Sequence, residues 1–204
     1  MAPLCSRRAI GAAIVAVALA ACSSGASTSQ ATTGSADVDA IIRRINGVST
    51  ATFTATYHLT RKLGNVTADA RVSQAPPRRA IVVRNVKFIE GDISQTCDLT
   101  TKTCADGIAA QRIADVSAGI GFYGPTAAIQ IAVSLARSSG KPAIDTRTIA
   151  GRPATCVAIN VGGGTETYCV LDTGVVALID RADVEVDLVT YSVESDPVTL
   201  ALAA

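Results

Sequence analysis

The chain has no tryptophan and one histidine, and only 3% of its 204 residues are aromatic. Binding bases or sugars by stacking needs several exposed rings, so such ligands are not expected. One histidine, His58, cannot build a histidine-rich metal site. A Ser-His-Asp triad would have to use that same residue, and no G-x-S-x-G nucleophile elbow accompanies it. Charged residues make up 17% of the chain and the net charge is +1, which leaves no basic footprint for nucleic acid. No C-x-x-C pair occurs and His58 is remote from every cysteine, so zinc and dithiol redox chemistry are disfavoured.

What is present begins at the N-terminus. Arg7 and Arg8 precede an uncharged run over residues 9–21, AIGAAIVAVALAA. That run is shorter than the roughly 20 apolar residues a membrane-spanning helix needs, but it suits the apolar region of a signal peptide. It ends in Leu19-Ala20-Ala21-Cys22, small residues before a cysteine whose thiol can take diacylglycerol. This stretch resembles the bacterial lipoprotein signal family, which implies cleavage before Cys22, a lipid (palmitate-type) anchor there, and a place on the extracytoplasmic face of the cell membrane. Loss of Arg7 and Arg8 would take the charge from +1 to near −1. Residues 23–36, SSGASTSQATTGSA, lack charge and large apolar groups. Such a segment cannot offset its ordering entropy and reads as a flexible tether spanning roughly 20 Å. The expected organisation is a signal peptide over 1–21, a lipidated cysteine and tether over 22–36, and one domain over 37–204.

Of six cysteines, Cys5 leaves with the signal and Cys22 takes lipid. Cys97, Cys104, Cys156 and Cys169 form an even set in an exported chain, which predicts two disulfides. Cys156 and Cys169 are symmetric about Gly162-Gly163. A two-residue hairpin there sets them opposite one another at a non-hydrogen-bonded position, with Cα atoms about 4.5 Å apart. Cys97 and Cys104 are symmetric about Thr100-Thr101, where a slightly longer loop serves. Each bridge closes a short loop and contributes about 2–3 kcal/mol in the chain-entropy account.

Hydrophobic periodicity sets the element order. Val38, Ile41, Ile42 and Ile45 fall on one helical face over 37–46, with Ser35 or Asp37 as cap and Asn46-Gly47 as stop. Over 49–60 the period becomes two: Ala51, Phe53, Ala55, Tyr57 and Leu59 alternate with Thr52, Thr54, Thr56, His58 and Thr60. Further strands are predicted over 66–73 and 79–90. Helices are predicted around 108–117 and 126–137, the second with Ala128, Ile131, Ala132 and Leu135 on one stripe. Five closely spaced strands over 143–193 follow. Three or four strands, two helices and five strands make an α+β fold: a large antiparallel sheet with helices on one face.

Three motifs are decoys in this setting. Gly119-x-Gly121-x-x-Gly124 imitates a dinucleotide loop but lacks the strand before it and reads as a helix–helix connection. Ser138-x-x-Lys141 lies at a helix end, beside Gly140, and reads as a cap. Residues 180–187, DRADVEVD, alternate with apolar residues and lack a calcium-loop pattern.

The layout resembles the LolA-like envelope lipoproteins, which include the LprG and LppX group and the RseB-type sensors. The resemblance is carried by the lipobox, the opening helix, the strand ATFTATYHLT, and the segment IAGRPATCVAI…TYCVLDTGVVALID. It implies a half-barrel, a curved antiparallel sheet with helices covering its concave face, no catalytic residues, no cofactor and no metal. It also implies a function in carrying or sensing acylated lipids or lipoproteins. Hydrophobic residues make up 49% of the chain, mostly Ala, Val and Ile, which suits either an enclosed apolar cavity or a filled core. A ligand-carrying cavity would lie between Phe53, Tyr57 and Phe88 on the sheet and Ala128, Ile131, Ala132 and Leu135 on the covering helix. A filled core would instead suit a sensor or protein-interaction module. Replacement of Cys22 by Ala is expected to abolish incorporation of labelled fatty acid into the protein, and normal labelling would end the lipoprotein reading.

Overall fold

The computed structural model describes residues 33–201; the signal segment, Cys22 and most of the tether lie outside them. Eleven strands form one antiparallel sheet in the order β6-β5-β4-β3-β2-β1-β11-β10-β9-β8-β7. The first meander is β1 (Phe53–Arg61), β2 (Val66–Ala75), β3 (Arg78–Val83), β4 (Val86–Glu90), β5 (Gln95–Asp98) and β6 (Thr103–Asp106). The second is β7 (Ala143–Ile149), β8 (Arg152–Val161), β9 (Gly164–Leu171), β10 (Val176–Asp180) and β11 (Val184–Ser192). Among the described residues there are three α-helices: α1 (Ala36–Gly47), α2 (Pro125–Ala136) and a single turn, α3 (Pro197–Leu200). The fold is α+β, with α1 and α2 packed on each other and on β8 and β9. Among the described residues no helix is long and apolar enough to cross a membrane.

Both meanders meet at β1 and β11. Thr54 to Arg61 run opposite Ser192 to Val184, with a bulge at Thr56/Tyr57. The period-two pattern of β1 is realised directly: Phe53, Ala55, Tyr57 and Leu59 are buried on one face, while His58 is exposed on the other. The buried face of β1 lies beneath the chain that leads into α2. Tyr57 meets Phe122 edge to face at 5.0 Å, and Phe53 lies 6.0 Å from Tyr123. The Tyr57 hydroxyl donates to the Val176 carbonyl at 3.0 Å, so one side chain of β1 holds the entry to β10.

Two predicted segments differ from the structure. Residues 79–90 are a hairpin, not one strand, because Arg84 adopts φ +53 and turns the chain there. Its left-handed backbone is held from both sides: Arg84 N–H donates to the Asp69 carbonyl, and its guanidinium reaches the Thr67 carbonyl and Asp115. With this split and the β5–β6 hairpin, the first half has six strands where three or four were expected. The segment around 108–117 is a 3-10 stretch, Ala110–Val116, kinked at Ile113. Its buried residues, Ile113 and Val116, stand three apart, which fits three residues per turn. At the start of α1 the N-cap is Ser35, one of the two expected, but its side chain makes no capping hydrogen bond. Asp39 instead accepts from the Thr33 N–H and hydroxyl, at 2.8 and 2.7 Å.

Cys97–Cys104 and Cys156–Cys169 are both disulfide-bonded, with Cα separations of 4.0 and 3.9 Å. Each staples one hairpin near an edge of the sheet. A glycine in the β9–β10 turn admits α1. Gly174 has φ +86, and a Cβ there would stand 2.1 Å from the Arg44 carbonyl oxygen. Gly174→Ala combines a strained backbone with a collision against α1 and is expected to lower stability by about 2–4 kcal/mol. Gly163→Ala meets nothing within 4 Å and is the control, expected to stay within about 1 kcal/mol. Chemical denaturation of the two variants checks the contrast.

Candidate functional site

The residues expected to line a cavity are brought together only in part. Phe53, Tyr57, Phe88, Ala128 and Ile131 are all buried, and Leu135 is half-buried. Ala132 is exposed, as is Ala136, so both face away from the sheet. The buried stripe of α2 is Ala127, Ala128, Ile131 and Ser134. The correction has a simple cause. Every residue of α2 is uncharged, PTAAIQIAVSLA, so no polar face marks which side turns outward. Beneath the preceding segment, Phe53, Tyr57, Phe122 and Tyr123 contact one another ring to ring.

The segment Gly119–Gly124 works as close packing. A Cβ on Gly121 would stand 2.5 Å from the Thr126 hydroxyl, and one on Gly124 would stand 2.6 Å from Val48 at the end of α1. Ser138 and Ser139 tie the end of α2 to β8, Ser139 N–H donating to the Asn160 carbonyl at 3.0 Å. His58 pairs with Asp69 across β1 and β2, Nδ1 to Oδ1 at 3.0 Å, on the exposed face. In 180–187, Val184 and Val186 are buried while Asp180 and Asp183 pair with Lys62 and Arg181.

A polar site that sequence reasoning missed lies where α2 meets β9. Glu166 is 6% exposed, and its carboxylate accepts from the Tyr168 hydroxyl at 3.0 Å. The Ser134 hydroxyl, 1% exposed, contacts the same carboxylate and the Gln130 carbonyl. Burial raises the Tyr168 pKa to about 12, keeping its hydroxyl a proton donor. The guanidinium groups of Arg137 and Arg181 stand 3.9 and 3.8 Å from the other carboxylate oxygen. Those arginines, Glu166, Lys62, Asp180 and Asp183 surround an open cavity of about 650 Å³, with the exposed Gly162–Gly164 hairpin tip at its rim. The cavity is therefore lined by three cations and three carboxylates, with Lys62–Asp180 and Arg181–Asp183 paired across it. The Ser134 hydroxyl is enclosed and has no histidine partner, so it fastens helix to sheet and does not act as a nucleophile. None of Phe53, Phe88, Ala128, Ile131, Ala132 or Leu135 lines this cavity. The signal in the sequence was faint: Ser134 falls three residues after Ile131, and Glu166 shares the parity of Tyr168 in β9.

With the sheet order and helix placement established, solved structures can be compared. A crystal structure of MucB superposes with a TM-score of 0.57 at 16% identity, over 84% of this chain and 64% of that one. The chain has the fold of MucB. The Pseudomonas aeruginosa MucA/MucB complex matches with a TM-score of 0.54 at 13% identity, over 82% of this chain and 61% of that one. The chain thus spans less than two thirds of the MucB chains it matches. No family model matches the sequence, and no curated protein does.

The corrected orientation of α2 separates two substitutions. Ala128→Phe overpacks the interface with the sheet and is expected to cost about 1–3 kcal/mol. Ala132→Phe adds a ring on the outside and is expected to change stability by no more than about 0.5 kcal/mol. Thermal unfolding of both variants distinguishes them, and equal losses would mean that α2 is rotated.

Proposed function

We propose that this protein is an extracytoplasmic lipoprotein, anchored through Cys22, whose folded domain is a non-catalytic protein-interaction module. The observation that carries the reading is the balanced charged cavity between α2 and the β8–β9 hairpin. Its lining of Arg137, Arg181, Lys62, Glu166, Asp180 and Asp183 matches recognition of charged side chains on a partner. The aromatic packing of Phe53 and Tyr57 against Phe122 and Tyr123 supports a filled core over an acyl-chain carrier. The MucB likeness lends support of a limited kind, since MucB has been solved in complex with MucA. A tether of roughly 20 Å would hold the domain close to the membrane, within reach of partners there.

Photo-crosslinking in intact cells tests this reading. A photoreactive residue in place of Gly163, on the cavity rim, is expected to yield a discrete protein adduct. The same group in place of Asp92, remote from the rim, is expected to yield none. Native mass spectrometry of the detergent-free protein is expected to show no bound lipid. A stoichiometric lipid, or no adduct from the rim, would overturn the module reading and restore the carrier.

A further inference from the structure

The first strand of the second meander, β7, lies at an edge of the sheet. Among the described residues β7 pairs only with β8, and every residue from Ala143 to Thr148 is exposed. Its register against β8 runs without a bulge, and no proline or lysine interrupts it. Edge strands are usually blunted by such features or by charged side chains, and β7 carries only Asp145 and Arg147, paired with each other at 3.1 Å. The other edge, β6, is a four-residue strand stapled by Cys97–Cys104.

Register shows which backbone groups are free. Directly bridged cysteines on neighbouring antiparallel strands occupy a non-hydrogen-bonded pair. The peptide groups of Cys156 therefore turn away from β9 and toward β7, where Asp145 is its partner. The two-residue turn at Ala150-Gly151 leads to the same parity, since Ile149 and Arg152 flank it as a hydrogen-bonded pair. Ile144, Thr146 and Thr148 consequently point their N–H and C=O groups outward from the sheet.

We infer that β7 is a self-association edge, pairing antiparallel with β7 of a second copy about a twofold axis at Thr146. In that register Ile144 faces Thr148 of the other copy, and Asp145 faces Arg147, twice by symmetry. The alternatives are worse matched. An axis at Asp145 or Arg147 sets like charges opposite one another, and an axis at Ile144 sets Arg147 against Lys141. An axis at Thr148 leaves Asp145 and Arg147 opposite uncharged residues. Charge complementarity along seven residues thus selects one register, and a self-complementary patch is what a twofold interface requires. The product would be a sheet continuous through both copies. This inference is independent of the partner-binding reading above.

Cysteine crosslinking of the full chain in its own membranes tests it. At a hydrogen-bonded antiparallel pair the Cα atoms stand about 5.5 Å apart, within disulfide range. Thr146→Cys should therefore form a covalent dimer on mild oxidation. Ile144→Cys alone should not, but Ile144→Cys co-expressed with Thr148→Cys should. Asp145→Arg or Arg147→Asp, each added to Thr146→Cys, should lower dimer yield about tenfold, and co-expression of the two charge variants should restore it. Protease resistance of each variant confirms that it has folded. Equal crosslinking at Thr146→Cys and Ile144→Cys, absence of dimer at Thr146→Cys, or failure of the charge variants to rescue one another would each overturn the proposal.

Discussion

The pairing of β1 with β11 is the constraint on which the rest of the molecule depends. Each meander is locally organised, with strands that follow one another through short turns. Alone, each would present an open edge. The contact that joins them links residues far apart in sequence; Thr56 and Thr190, hydrogen-bonded side chain to side chain at 2.6 Å, are separated by 134 positions. Such closure carries a large entropic cost. The buried alternation of Phe53, Ala55, Tyr57 and Leu59 against Val184, Val186 and Leu188 offsets it.

Once the halves are joined, their common face must be covered, and the covering is held by small residues and a few polar bonds. Gly124 lets the start of α2 approach Val48, and Gly174 lets the β9–β10 turn approach Arg44. Gln74 reaches from β2 to the Val48 and Ala51 carbonyls at 2.7 and 2.8 Å, satisfying backbone groups where α1 gives way to β1. At the other end Ser134, Glu166 and Tyr168 fasten α2 to β9. A buried carboxylate is tolerated there because hydroxyl donors and two guanidinium groups compensate its desolvation. The same residues leave that corner of the molecule charged and open, which is why structural fastening and candidate recognition coincide.

Much of the fold was legible because its signals are local. The alternation in ATFTATYHLT dictates one buried face, and the helix over 36–47 follows from isoleucines at helical spacing. Symmetry of cysteines about Gly162-Gly163 places Cys156 opposite Cys169 by counting alone. Where local signals were weak, the reading failed. Arg84-Asn85 carries neither glycine nor proline, and its turn is stabilised by Asp69, Thr67 and Asp115, contacts invisible in a linear string. The charge-free α2 offered an apolar stripe in more than one direction, so Ala132 was set on the wrong side.

The sequence by itself determined the alternation of strand faces, the pairing in the two cysteine-bearing hairpins, both disulfide partners and the helix-then-sheet order, because each depends on spacing of a few residues to a few tens. Only the tertiary structure decided that the first strand pairs with the last, which way α2 turns, and that Lys62, Arg137, Glu166 and Arg181 share one cavity. Those facts depend on long-range closure and on competition between nearly equivalent apolar surfaces. Neither leaves a periodic trace along the chain.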